Sequence, residues 1–130
     1  MAERFAHTFD EYVGWMAVNS PHATVLDWWR RLDRGLDEYA PAPPPRPRRH
    51  RWRALESALT ADPCFGPMAV ELLRAMRVLR NRVAHEPGVY LSPQQAALYA
   101  QLALQFIGSL GARRALPSPP EDWRRLVPPN

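Results

Sequence analysis

Residues 80–85 read Arg-Asn-Arg-Val-Ala-His, and Pro87 and Gly88 follow almost at once. Histidine takes up and releases protons near neutral pH. Arginine holds phosphate and carboxylate oxygens through a fixed fork of donors, and an amide such as that of Asn81 both donates and accepts. Arg80, Asn81 and His85 are thus residue types that can move a proton and hold an anion. They are also what an ordinary helix end carries, because a cation near the last carbonyls interacts well with the helix dipole.

The element that must position them is a helix. From about Pro67 to His85, Leu72, Met76, Leu79 and Val83 recur at three- and four-residue spacing and mark a core stripe. At about 100° per residue, Asn81 and His85 fall nearly opposite that stripe, on an outward face with Arg74 and Arg77. Arg80 lies about 140° from His85, so one straight helix does not aim both at one small group. Two such helices packed about a twofold axis would.

The remaining elements are also helical. Thr8–Asn19 opens with a capping-box pattern, Thr8 and Glu11, and reads as a short helix weakened by Gly14. Ser20 and Pro21 suit the start of a second helix, with Val25, Trp29, Leu32, Leu36 and Tyr39 on one face and an end near Ala40. The Pro/Arg-rich stretch 41–51 is expected to be a loop, since successive prolines remove donors and favour extended backbone. Trp52, Leu55 and Leu59 mark a short helix beyond it.

Ser92, Pro93 and Gln95 form a capping-box start for a helix reaching Leu110. Leu98, Tyr99, Leu102, Leu104, Phe106, Ile107 and Leu110 surround most of its circumference, so it should be largely buried. A dimer interface is the simplest cover for it. The expectation is an all-α antiparallel bundle of four main helices plus a short N-terminal one. Its organisation is an extension over 1–19, a helical domain over 20–110 and a proline-rich tail over 111–130, on which Trp123 can dock.

Composition limits the alternatives. A chain of 130 residues suits one domain. Its single cysteine, Cys64, forbids an internal disulfide and fits a reducing cytoplasm; no metal or cofactor is expected from the Cys and His spacing. No secretion signal is read at the N-terminus, and glutamines interrupt the uncharged stretch 87–112, so no membrane segment is expected. The net charge of +4 is too small to argue for nucleic acid by itself. Clustering does better: residues 46–53 hold five arginines with His50 and Trp52. Arg48, Arg49 and Arg51, with Arg74 and Arg77, are the candidate phosphate contacts.

Residues 71–110 resemble the C-terminal helix pair of the HEPN superfamily, whose hallmark is arginine, a polar residue and, a few residues on, histidine at a helix end. Arg80, Asn81 and His85 match it, a capped helix follows from Ser92, and residues 20–39 look like the long first helix of stand-alone bacterial members. The resemblance spans roughly residues 20–110. It implies an all-α, usually dimeric bundle in which the arginine and histidine of each chain meet across a cleft.

Many members are metal-independent endoribonucleases of toxin and antiviral systems; others only bind nucleic acid or protein. On that footing His85 is the acid or base, Arg80 the electrostatic clamp, and Asn81 orients the ring or a phosphate oxygen. The products are a 2′,3′-cyclic phosphate and a 5′-hydroxyl. RNA, a second copy of the chain and an antitoxin or other protein are the implied partners. One departure stands out: where members paired with a nucleotidyltransferase antitoxin often carry tyrosine two residues after the histidine, this chain has Pro87. Glu86 also places negative charge beside His85.

Overall fold

Apolar spacing, proline placement and capping divide the chain into helices that share one core. The computed structural model describes the backbone of residues 9–40 and 48–126 and the side chains of 11–40 and 51–126. Among them lie α1 (Phe9–Asn19), α2 (Pro21–Tyr39), α3 (Arg48–Ala61), α4 (Gly66–His85), α5 (Pro93–Ala112) and a 3-10 turn, Glu121–Leu126; none forms a strand. The chain is all-α, as its periodicity predicts.

Val25, Trp29, Leu32 and Leu36 bury the α2 stripe, and Trp52, Leu55 and Leu59 that of α3. In α4, Leu72, Met76 and Leu79 are buried and Val83 is half-buried. The most extensive packing is α2 against α5, with α3 lying on α4 and α4 also meeting α2. At Gly35 the α2 backbone comes close to α5, since a Cβ there would stand 3.5 Å from Leu110 Cδ1.

Helix ends differ in how they are satisfied. The expected capping box of α5 is formed: Gln95 N donates to Ser92 Oγ at 3.0 Å, and Ser92 N donates to Gln95 Oε1 at 3.0 Å. Ser20 makes no such bond. Its N–H instead donates to Met16 O, continuing the α1 ladder, while its carbonyl accepts from both Thr24 N and Thr24 Oγ1. Ser20 is therefore a one-residue joint between α1 and α2, with Pro21 in the first turn. Thr8, the proposed cap of α1, lies outside the described residues.

The loop expected over 41–51 is shorter at its C-terminal end, because α3 starts at Arg48. Pro47 is the last proline of that run, and nothing after it forbids a helix. Residues 41–47 lie outside the described residues.

The cover for α5 comes from the chain itself. Tyr99, Leu102, Phe106 and Leu110 are buried by α2, α1 and the 3-10 turn, and Leu104 remains 41% exposed. A dimer interface is thus not needed to cover α5. Val13, Ala17, Trp123 and Leu126 belong to the same core as the four main helices, so both flanking segments are structural parts of it. The uncharged stretch is this packed α5, and among the described residues no helix is long and apolar enough to cross a membrane.

Candidate functional site: an arginine-lined groove and an exposed helix end

α4 carries every residue of the motif, and its end is well defined. Glu86 N donates to Arg82 O at 2.8 Å, and Gly88 then takes φ 74°, a left-handed conformation that glycine adopts without strain. His22 Nε2 lies 2.7 Å from Val89 O, tying the start of α2 to the chain just beyond His85. On the inner side, the buried Tyr99 hydroxyl donates to Met76 O at 3.1 Å. That position pushes the Tyr99 phenol well above its ordinary pKa, through burial, so it stays protonated.

Arg77, Arg80 and Asn81, three and four residues apart on α4, share a groove of about 160 Å³ with residues of α2 and α3. Its walls include Trp29 and Trp52, whose rings stack with centroids 5.6 Å apart. Arg77 lies over the Trp52 ring, 4.4 Å from its centroid, and Arg51 lies 5.4 Å from the same ring. Arg80 Nη1 donates to Asn81 Oδ1 at 3.0 Å. That bond fixes the amide, leaving its NH2 group as the donor available to a ligand.

The charges in the groove are unequal. Arg51, Arg77 and Arg80 line it with a single carboxylate, Asp33. Arg51 is the neutralised member, donating to Asp33 at 2.9 Å and to Asp37 at 2.5 Å. Among the described residues no carboxylate pairs with Arg77 or Arg80. Two guanidiniums and an amide thus remain for an anion, and the small cavity suits a group the size of one phosphate.

The other sequence candidates are placed apart. Arg74 leaves the groove for Glu56 of α3, with its Nε 2.9 Å from Glu56 Oε2; the hydrogen bonds and charge of Glu56 raise its pKa. The face of α4 opposite its core stripe is therefore partly covered by α3 rather than wholly outward. The backbones of Arg48 and Arg49 open α3, but their side chains lie outside the described residues. His85 is exposed and does not line the groove, so one chain does not bring Arg80 and His85 together. Asn81 is the link, since it lines the groove one turn before His85.

From sequence Trp29 reads as core, Trp52 as both a core position and a member of the basic cluster, and Asp33 has no part. The signal was present in the arginine and tryptophan content, but which helix faces which across residues 41–47 is not carried by periodicity. Among the described residues no three His, Cys, Asp or Glu side chains are grouped to hold a metal ion. What fold and groove define is an all-α bundle with a small cationic groove between α2, α3 and α4. No family model matches the chain, and no curated protein or solved structure does so either.

Proposed function

We propose that the chain is an RNA-cleaving enzyme of HEPN type, a metal-independent endoribonuclease in a toxin or antiviral setting that works as a homodimer. The observation that carries this reading is the convergence of Arg77, Arg80 and Asn81 on a phosphate-sized groove in which, among the described residues, no carboxylate pairs with either arginine. Arg80 and Asn81 hold the scissile phosphate there. His85 removes the proton of the 2′-hydroxyl, the 2′-oxygen attacks phosphorus, and the P–O5′ bond breaks. The leaving oxygen takes a proton, giving a 2′,3′-cyclic phosphate and a 5′-hydroxyl.

Because Arg80 and His85 stand about 140° apart on α4, the reading requires two chains. The imidazole serving one groove comes from the partner subunit.

The second reading is a module that binds nucleic acid without cutting it. It is favoured by the same geometry, since the groove is complete on one chain while His85 lies outside it.

Incubation with folded RNA such as tRNA, followed by analysis of the new ends, tests the proposal. Cyclic-phosphate ends should appear, unaffected by a chelator, and His85→Ala should abolish them with the melting temperature unchanged, because the residue is exposed. RNA bound but never cut supports the second reading. An active His85→Ala protein would rule out the enzyme as described.

A further inference from the structure

The opposite flank of α4 carries another cavity, of about 370 Å³, that the cleavage chemistry does not use. Leu79 and Val89 give it apolar walls, Arg82 and Glu86 line it from the last turns of α4, and Gln95 of α5 and Tyr90, 80% exposed, complete it. An aromatic ring so open to water contributes little to the core, yet it borders an apolar space of ligand size. With Arg82 balanced by Glu86, the cavity lacks the excess positive charge of the groove, while the carboxylate can accept from the edge of a heterocycle. The groove across the helix is the reverse, small and cationic.

Helical geometry puts His85 between the two sites. It lies about 40° from Asn81 on the groove side and about 60° from Arg82 on the cavity side. A strand with a phosphate in the groove that continued round the end of α4, past this chain's own His85, which serves the partner's groove, would bring a neighbouring base to Tyr90. We propose that this cavity seats one unpaired nucleobase of the bound RNA, with Tyr90 as the stacking surface. The inference rests on the RNA-binding reading above. It adds a preference for single-stranded segments, because a paired and stacked base cannot enter.

Fluorescence anisotropy with a single-stranded RNA octamer and an abasic ribose-phosphate octamer tests this. Tyr90→Ala should weaken the RNA octamer about tenfold and leave the abasic one unchanged, while Tyr90→Phe stays within about twofold of wild type. Exposure of Tyr90 predicts the same thermal melt for all three proteins. Equal binding of the RNA octamer by Tyr90→Ala and wild type overturns the base seat. So does an equal loss on both octamers, which would make Tyr90 a backbone contact. Arg77→Ala separates the two proposals: if it weakens both octamers while Tyr90→Ala weakens neither, the RNA reading stands and the base seat alone falls. If wild type binds neither octamer, both fall.

Discussion

Arg77 shows how one side chain can serve fold and site together. Its guanidinium rests on Trp52 and so is pre-positioned in the groove, a contact worth about 0.5–1 kcal/mol. Arg77→Ala should therefore lower the melting temperature slightly and weaken RNA binding more. The slope of log affinity against log salt should fall by about one ion; an unchanged slope would exclude a phosphate contact. Away from the groove, the Tyr39 hydroxyl donates to Asp62 at 2.7 Å. Burial and then that bond raise the Tyr39 pKa from 10.0 to about 12. Asp62 is held below the usual carboxylate range, first by the Cys64 N–H and then by Tyr39. The stability contributed by the raised phenol is whole below about pH 10 and is lost as pH climbs toward 12; that of Asp62 is lost as pH falls through its lowered value. Tyr39→Phe should flatten the alkaline fall in melting temperature between pH 10 and 12, and an unaltered profile would refute the assignment. Neither partner could be matched from sequence, since Tyr39 and Asp62 lie on opposite sides of residues 41–47. The motif itself was legible because Arg80, Asn81 and His85 sit within six residues of one helix.

Elements were legible where a local rule determines them. Ser92 with Gln95 is a complete capping box in sequence and in structure, and Ser92→Ala should cost about 1 kcal/mol, measurable as an earlier denaturant midpoint with an unchanged slope. Ser20→Ala should cost much less, because its hydroxyl caps nothing; equal losses would mean that Ser20 does cap α2. The same Ser-Pro signal thus has two outcomes. In α2 the preceding residues are already helical, and Ser20 N is spent on Met16 O. The stripes of α2, α3 and α4 were readable from spacing alone, whereas the start of α3 at Arg48 was masked by the proline-rich segment before it. The covering of α4 by α3 was not readable at all. It depends on Glu56 meeting Arg74 and Trp52 meeting Arg77, contacts between residues 18 and 25 positions apart.

At the scale of the whole molecule, α1 and the 3-10 turn complete the core. Trp123 and Leu126 are buried, and Arg124 Nη1 donates to Glu71 Oε1 at 2.7 Å, fastening the tail to α4. Trp123→Ala should destabilise by about 3–5 kcal/mol, as large aromatic truncations in a core do; a loss within ±0.5 kcal/mol, typical of a surface change, would show that the tail does not dock. A single chain therefore satisfies its own apolar helix, and it is the proposed cleavage reaction, not burial, that calls for two chains. That requirement is the central claim, and complementation tests it most directly. Arg80→Ala and His85→Ala proteins should each be inactive on tRNA. If the site is shared across a twofold axis, mixing them in equal amounts and allowing subunit exchange should restore about a quarter of wild-type cleavage, because half the dimers are mixed and each carries one intact site. A mixture as inactive as its components, from a wild type that does cleave, would contradict the shared site.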